Sequence, residues 1–352
     1  MNRNINPEML TLAREARGMT QSELAAATGI SQSQLSKFEA GMQPVPQEML
    51  DKLARALDYP TSLFFRSDSV KGFGVSFIFH RKKASASAGE LRKVQAQLNK
   101  HRMEVASLLR GAEIETESRF HQMDIQGHPG GAAEIARLVR ASWMLPLGPI
   151  TDLVAAVESA GGIVWRCSFG TKAIDALSQW IAPDFPLFFL NTDFPEDRLR
   201  FSLAHEIGHI IMHRVPTMDM EREANHFAAE FLMPAAEIEA DLSGITIPKA
   251  AALKPYWRVS MCAIIKRAAE LKQITDAQYR RLYTRLGAVG YRMQEPLELP
   301  PEEPSIIRQL VEVHQRDHGY SNAEVAQLVD LREREFNLKY LPPAGPRLRM
   351  AN

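Results

Sequence analysis

The sequence predicts a multidomain fold: an all-α N-terminal domain, then an α+β domain, then a helical C-terminal module. Three observations predict it. Residues 7 to 65 read as short helices punctuated by caps and glycines, helix and strand patterns alternate from 131 to about 200, and an acidic, proline-rich stretch after 296 precedes further helical patterns. A chain of 352 residues exceeds what one hydrophobic core ordinarily supports. Its 42 basic and 42 acidic residues cancel, so any basic surface must be local. Two scattered cysteines, Cys167 and Cys262, exclude a disulfide scaffold and a thiolate zinc site. No apolar run approaches the length of a membrane span, and MNRNINPEML lacks the core of a signal peptide. The expectation is a cytoplasmic protein with no membrane partner.

In MTQSELAAATGISQSQLSKFEAG two capping-box patterns start successive helices, Thr20 with Glu23 and Ser31 with Gln34. Between them Thr28-Gly29-Ile30 makes a tight turn, with Gly29 free to take positive φ. Ala25 is small where two helices cross, and Ile30, Leu35 and Phe38 point to a shared core. Pro44-Val45-Pro46 breaks the chain before MLDKLARALDY, whose Met49, Leu50, Leu53, Ala54 and Leu57 share one helix face. A small helical bundle that binds another protein would carry the same caps.

This pattern resembles the Xre (Cro/repressor-type) helix-turn-helix DNA-binding domain over residues 7 to 65, with domain limits at 1–66. The resemblance implies a double-stranded DNA operator and makes Ser31 to Ala40 the reading helix. Ser31, Gln32, Ser33, Gln34, Ser36 and Lys37 are its candidate DNA contacts, the last five expected on its exposed side. Glutamine can pair bidentately with adenine, and serine or lysine can reach bases or phosphates. Gln21, at the start of the preceding helix, would donate to the phosphate backbone. The near-neutral domain suggests modest affinity per copy, and hence a homodimer reading two half-sites.

Residues 67–130 form a connector in which Arg81, Lys82, Lys83, Arg92, Lys93, Lys100, Arg102 and Arg110 meet few acids. FGVSFIFHR alternates like a strand, ASASAG is a small-residue junction, and ELRKVQAQLNKHRMEVASLLRG reads as a long helix with Leu91, Val94, Leu98, Val105 and Leu108 as its apolar stripe. A solvated basic helix packed on the next domain and an extension of the DNA footprint or dimer seam fit this pattern equally. Gly127, Pro129, Gly130 and Gly131 mark a loop before the next domain.

The α+β domain, set at 131–295, opens with helices at AAEIARLVRASW and ITDLVAAVESAG and strands at GIVWRC and FPLFFLN. FPLFFLN is either plain core or an edge strand able to align an extended substrate by backbone pairing. A helix over 198–213 then carries His205-Glu206-Ile207-Gly208-His209, an HExxH pattern. Histidines four apart share one helix face and can hold Zn2+ together, leaving a third protein ligand and an open position to be found. EREANHFAAEFLMP offers Glu221 and Glu223, which compete. Glu221 is favoured because it shares a face with Asn225, which could orient a histidine of the first helix. His213 continues the stripe but lies roughly 12 Å along the helix from His205, beyond reach of one ion, so a supporting or structural role is expected. His226 reads as packing or surface.

LAHEIGHIIMH followed by EREANHFAAEFLMP resembles the ImmA/IrrE family of zinc metallopeptidases, over residues 135 to 240. The resemblance implies a zincin-like fold, His205, His209 and Glu221 as metal ligands, and Glu206 as catalytic base.

The C-terminal module, 296–352, starts with the linker or surface strap PLELPPEEP. SNAEVAQLVDLREREF then echoes TQSELAAATGISQSQL: Ser321 with Glu324 as a capping box, Ala326 for Ala25, Leu331 for Ile30 and Phe336 for Leu35. Asp330 replaces the turn glycine, which Asp tolerates. Glu333 and Glu335 would face phosphates badly, so this copy reads as a degenerate helix-turn-helix used for packing or a partner.

Together these readings anticipate a DNA-binding transcriptional regulator with a zinc-dependent endopeptidase domain. Its substrate would be a repressor, another regulatory protein or the chain itself, cut under stress or a mobile-element or toxin–antitoxin signal. The alternative is a non-proteolytic regulator whose zincin-like domain senses a metabolite or partner.

Overall fold

The computed structural model describes residues 5–72, 87–116, 119–181, 185–292 and 294–341. The described chain divides into two compact units. One gathers residues within 1–72, 85–114 and 305–352, and the other covers 115–304. The strand expected at FGVSFIFHR and the basic residues Arg81, Lys82 and Lys83 lie outside the described residues. None of the described helices is long and apolar enough to cross a membrane.

The first unit begins with α1 (Pro7–Ala16), α2 (Gln21–Thr28), α3 (Gln32–Glu39) and α4 (Gln47–Ala56). Thr20 and Glu23 form a full capping box, whereas at Ser31 the structure shows the hydroxyl half, Ser31 Oγ accepting from the Gln34 N–H. Gly29 ends α2 at φ 69°, the left-handed turn that lets α3 cross α2. Leu24, Leu35, Phe38, Leu50, Leu53 and Leu57 close the core.

The long basic helix is α5 (Ala88–Leu108), started by a Ser87–Glu90 capping box. All five residues of its expected stripe are buried, but so are Asn99, Lys100, Arg102, Glu104 and Ser107. The helix is therefore interior to its unit and not solvated. Its Ala96 and Met103 pack with Met9, Leu12 and Ala16 of α1. Buried charges require partners, and those of Glu104 include Lys100 at 3.1 Å, His101 at 3.6 Å, Lys339 at 2.5 Å and the Tyr340 hydroxyl at 2.6 Å. The expected connector thus divides, its helix joining the first unit and residues 115–130 the second.

The second unit runs through α6 (Gly131–Ser142), α7 (Leu153–Ser159), β1 (Ile163–Cys167), β2 (Ala176–Ile181), β3 (Phe185–Asn191), α8 (Glu196–Met212) and α9 (Met220–Leu232). It continues with α10 (Ala235–Leu242), α11 (Ile247–Trp257), α12 (Met261–Glu270) and α13 (Asp276–Ala288). The sheet order is β1-β3-β2, with β3 parallel to β1 and antiparallel to β2. FPLFFLN is therefore the central strand and not an edge, with a neighbour on each side, and it reads as a continuous apolar run because Leu187 to Leu190 are buried on both faces of the sheet. The outer strand β2 packs beside α8, as does β3.

The acidic, proline-rich strap is anchored rather than free. Glu302 is 4 % exposed, accepts from the Leu153 and Val154 N–H groups at the start of α7, and pairs with Arg200 of α8. Glu295 does the same at the start of α12, accepting from Met261 N and Cys262 N while pairing with Lys254, which also holds Asp197 in the first turn of α8. Carboxylates at helix N-termini satisfy donors that the helix itself leaves open.

The chain then returns to the first unit as α14 (Ile306–Arg316), α15 (Asn322–Leu328) and α16 (Glu333–Tyr340). The echo of the N-terminal pattern is structural as well: Ser321 and Glu324 form a full capping box, and Asp330 takes φ 52° between two separate helices. Asp330 is more than a tolerated substitute for glycine. It accepts from Ser62 at 2.5 Å and from Arg66 at 2.7 Å, while Glu335 pairs with Arg17 at 2.8 Å and Arg332 with Asp58 at 2.7 Å. Asp330, Arg332 and Glu335 of the second copy thus face the N-terminal segment of their own unit, while Glu333 and Arg334 are exposed.

Candidate functional site

α8 presents His205, His209 and His213 on one stripe. It begins with Glu196 and Asp197, whose charges suit a helix N-terminus, and its middle is apolar. Gly208 sits where α9 crosses, a Cβ there being 3.1 Å from the Phe227 ring. This close crossing brings the first turn of α9 to the histidines. His205 Nε2 and His209 Nε2 lie 2.9 Å apart, and Glu221 reaches them at 3.5 and 3.3 Å. These three side chains offer ligand atoms that all fall within 4.8 Å of one another.

The donor set fits a metal ion. Glu221 Oε1 is buried with no hydrogen-bond donor, an orphan acceptor of the kind a cation would satisfy. Burial pushes the Glu221 carboxyl up, but the neighbouring imidazoles of His205 and His209 outweigh this and hold it well below the usual carboxylate range. Burial depresses His209 to about 4 against the opposing pull of Glu221, so its ring is neutral at pH 7, the form that ligates.

Glu206 points from the other side of His205 towards the sheet. It is 2 % exposed, and Ser178 Oγ of β2 donates to its Oε2 at 2.5 Å. Sequence reasoning missed both the strand and the serine: ALSQWI is short, leaving little periodic signal. Asn225 does not orient a histidine. Its Nδ2 turns back onto the Glu221 carbonyl oxygen at 2.6 Å, an i to i−4 contact within its own helix. The carboxylate that reaches His213, at the end of the stripe, is Glu223, with Oε2 3.0 Å from His213 Nε2. His226 is exposed.

In the first unit the candidate reading helix is braced from behind. Arg14 donates to Glu39 through Nε and Nη2, Gln21 Nε2 donates to Glu39 Oε2 at 2.8 Å, and Gln32 Nε2 donates to Gln21 Oε1 at 2.9 Å. Ser31, Gln32, Ser33 and Lys37 are exposed, whereas Gln34 and Ser36, expected on the open face, are half-buried.

Residues 10–64 match the helix-turn-helix family model, and residues 157–269 match that of the IrrE N-terminal-like domain, a peptidase family. The chain joins a helix-turn-helix domain to an IrrE N-terminal-like domain. No curated protein matches it. The IrrE-like match spans β1 to α12 and so contains both metal-facing helices, Ser178 and Glu206. The helix-turn-helix match spans α1 to α4 and the turn after it.

Proposed function

We propose that this chain is a homodimeric, cytoplasmic transcriptional regulator that binds operator DNA through α3 and carries a zinc-dependent endopeptidase in its IrrE-like domain. The observation that carries the reading is the convergence of His205, His209 and Glu221 with Glu206 alongside. A zinc ion held by the three would polarise a peptide carbonyl and acidify water. Glu206 would take a proton from the attacking water and return it to the leaving amine. Ser178 Oγ, donating to Glu206 Oε2, would hold the carboxylate in place for that transfer. The substrate is a repressor, another regulatory protein or this chain, cut in response to a stress or mobile-element signal.

A second reading, a non-proteolytic regulator whose zincin-like domain senses a metabolite or partner, draws on the burial of Glu206. Incubating wild type and Glu206→Gln with operator DNA, zinc and neighbouring gene products separates the two. A fragment from wild type alone supports the peptidase, while operator binding by both with no fragment from either sinks it.

A further inference from the structure

Three histidines stand in line on α8, yet only two of them converge with Glu221. His213 closes the helix with its side chain buried; its Nδ1 lies 2.9 Å from His209 Nδ1 and its Nε2 lies 3.0 Å from Glu223 Oε2. The four-residue spacing that denies His213 a place at the ion sets it against the far nitrogen of His209.

Proton inventory fixes the direction of both contacts. An ionised carboxylate only accepts, so His213 donates its Nε2–H to Glu223. A neutral imidazole protonated on Nε2 has a bare Nδ1, so His209 donates its own Nδ1–H to His213. His209 is left with a bare Nε2, the atom that lies 2.9 Å from His205 Nε2 and 3.3 Å from Glu221 Oε1. We propose that Glu223 and His213 form a relay that fixes the tautomer of His209 and aims its Nε2 lone pair at the metal position. The relay rests on the metal-centre reading above and adds two positioning residues outside the ligand set. A ligating histidine commonly gives its second N–H to a carboxylate directly; here an imidazole spans the gap.

The test uses the full-length chain labelled with 15N-histidine and stripped of metal by a chelator near pH 8. Long-range 1H–15N spectra report the His209 tautomer, and competition with a chromophoric chelator reports zinc affinity. Wild type shows His209 protonated on Nδ1 and binds one zinc. In Glu223→Ala the His209 tautomers mix, and zinc affinity falls about 10–100-fold with the stoichiometry retained. Glu223→Gln, whose amide oxygen still accepts from His213, falls between the two, and His213→Leu matches Glu223→Ala. Glu221→Ala, which removes a ligand, loses far more. A wild-type tautomer and affinity in Glu223→Ala, with Glu221→Ala still impaired, overturns the relay and spares the metal centre. A wild type that binds no zinc overturns both. Should His213→Leu not fold, as judged by circular dichroism, the two Glu223 variants at their half-buried position decide the question.

Discussion

Gly208 of α8 lies directly against Phe227 of α9: a Cβ at 208 would stand 3.1 Å from Phe227 Cδ1 and 3.2 Å from its Cβ. Phe227 cannot easily withdraw, being fully buried and stacked on Phe231 at 5.3 Å. Gly208→Ala gains up to about 1 kcal/mol of helix propensity but overpacks the crossing at a cost of about 1–3 kcal/mol. The expected net result is a lower melting temperature together with weaker zinc binding, because α9 carries Glu221. Calorimetry and metal titration of the variant check this, and an unchanged metal affinity would separate the crossing from the site.

Zinc removal should lower stability wherever the metal binds only the folded chain. At a free concentration a thousandfold above Kd the ion contributes about 4 kcal/mol. Thermal scans with zinc and with a chelator should therefore differ for wild type and coincide for a His205→Ala, Glu221→Ala double variant. A metal-dependent shift that survives in that variant places the ion elsewhere.

His101 gives the first unit a pH dependence of known sign. Burial and the neighbouring Lys339 ammonium, which donates to its Nδ1 at 2.7 Å, depress it from 6.5 to about 4 despite the opposing Glu104 carboxylate. The folded chain then binds fewer protons than the unfolded chain between these values, so stability is full above pH 6.5 and declines as pH falls towards 4. The shift corresponds to at most about 3 kcal/mol. Urea unfolding at pH 7.5 and pH 5 should show a smaller loss for His101→Asn than for wild type, and equal losses would remove His101 from the account.

Asp330 combines a left-handed backbone with a buried ion pair to Arg66, so its replacements should rank. Asp330→Asn keeps the tolerance for positive φ and loses only charge, whereas Asp330→Ala loses both. Breaking a buried pair costs about 3–5 kcal/mol, and retention of Asp68 by Arg66 places Asp330→Ala near the lower end. Chemical denaturation of both variants gives the order, and equal stability for the two would show that the backbone conformation is immaterial.

On DNA, Lys37→Ala should weaken binding similarly across sequences and reduce the salt slope by about 1, while Gln32→Ala should relax base preference at one position. Gln21→Ala should reproduce part of the Gln32 effect, since Gln21 Oε1 accepts from Gln32 Nε2. Operator titrations at several salt concentrations distinguish these outcomes.

Features carried by local spacing were legible in the sequence. The Thr20–Glu23 box, the positive φ at Gly29 and Asp330, the α5 stripe and the His205–His209 pair all depend on residues within a turn or two of each other. What escaped depends on long-range partners. Lys100 is buried because its ammonium reaches the Val329 carbonyl, and Glu302 because two N–H groups at the start of α7 and Arg200 surround it. Glu223 lies roughly 200° around the helix from Glu221, yet both reach α8, because the histidine stripe spans two turns and offers them different targets.

The order of synthesis gives the docking of α15 and α16 a further meaning. The N-terminal helices leave the ribosome first, but Arg66, Lys100 and Glu104 meet Asp330, Val329, Lys339 and Tyr340 only after the whole peptidase-like domain has been made. A chain truncated between α5 and these residues keeps the Lys100–Glu104 pair but lacks the Val329, Lys339 and Tyr340 groups that complete it. Completion of the DNA-binding unit therefore reports that translation has run through the peptidase-like domain.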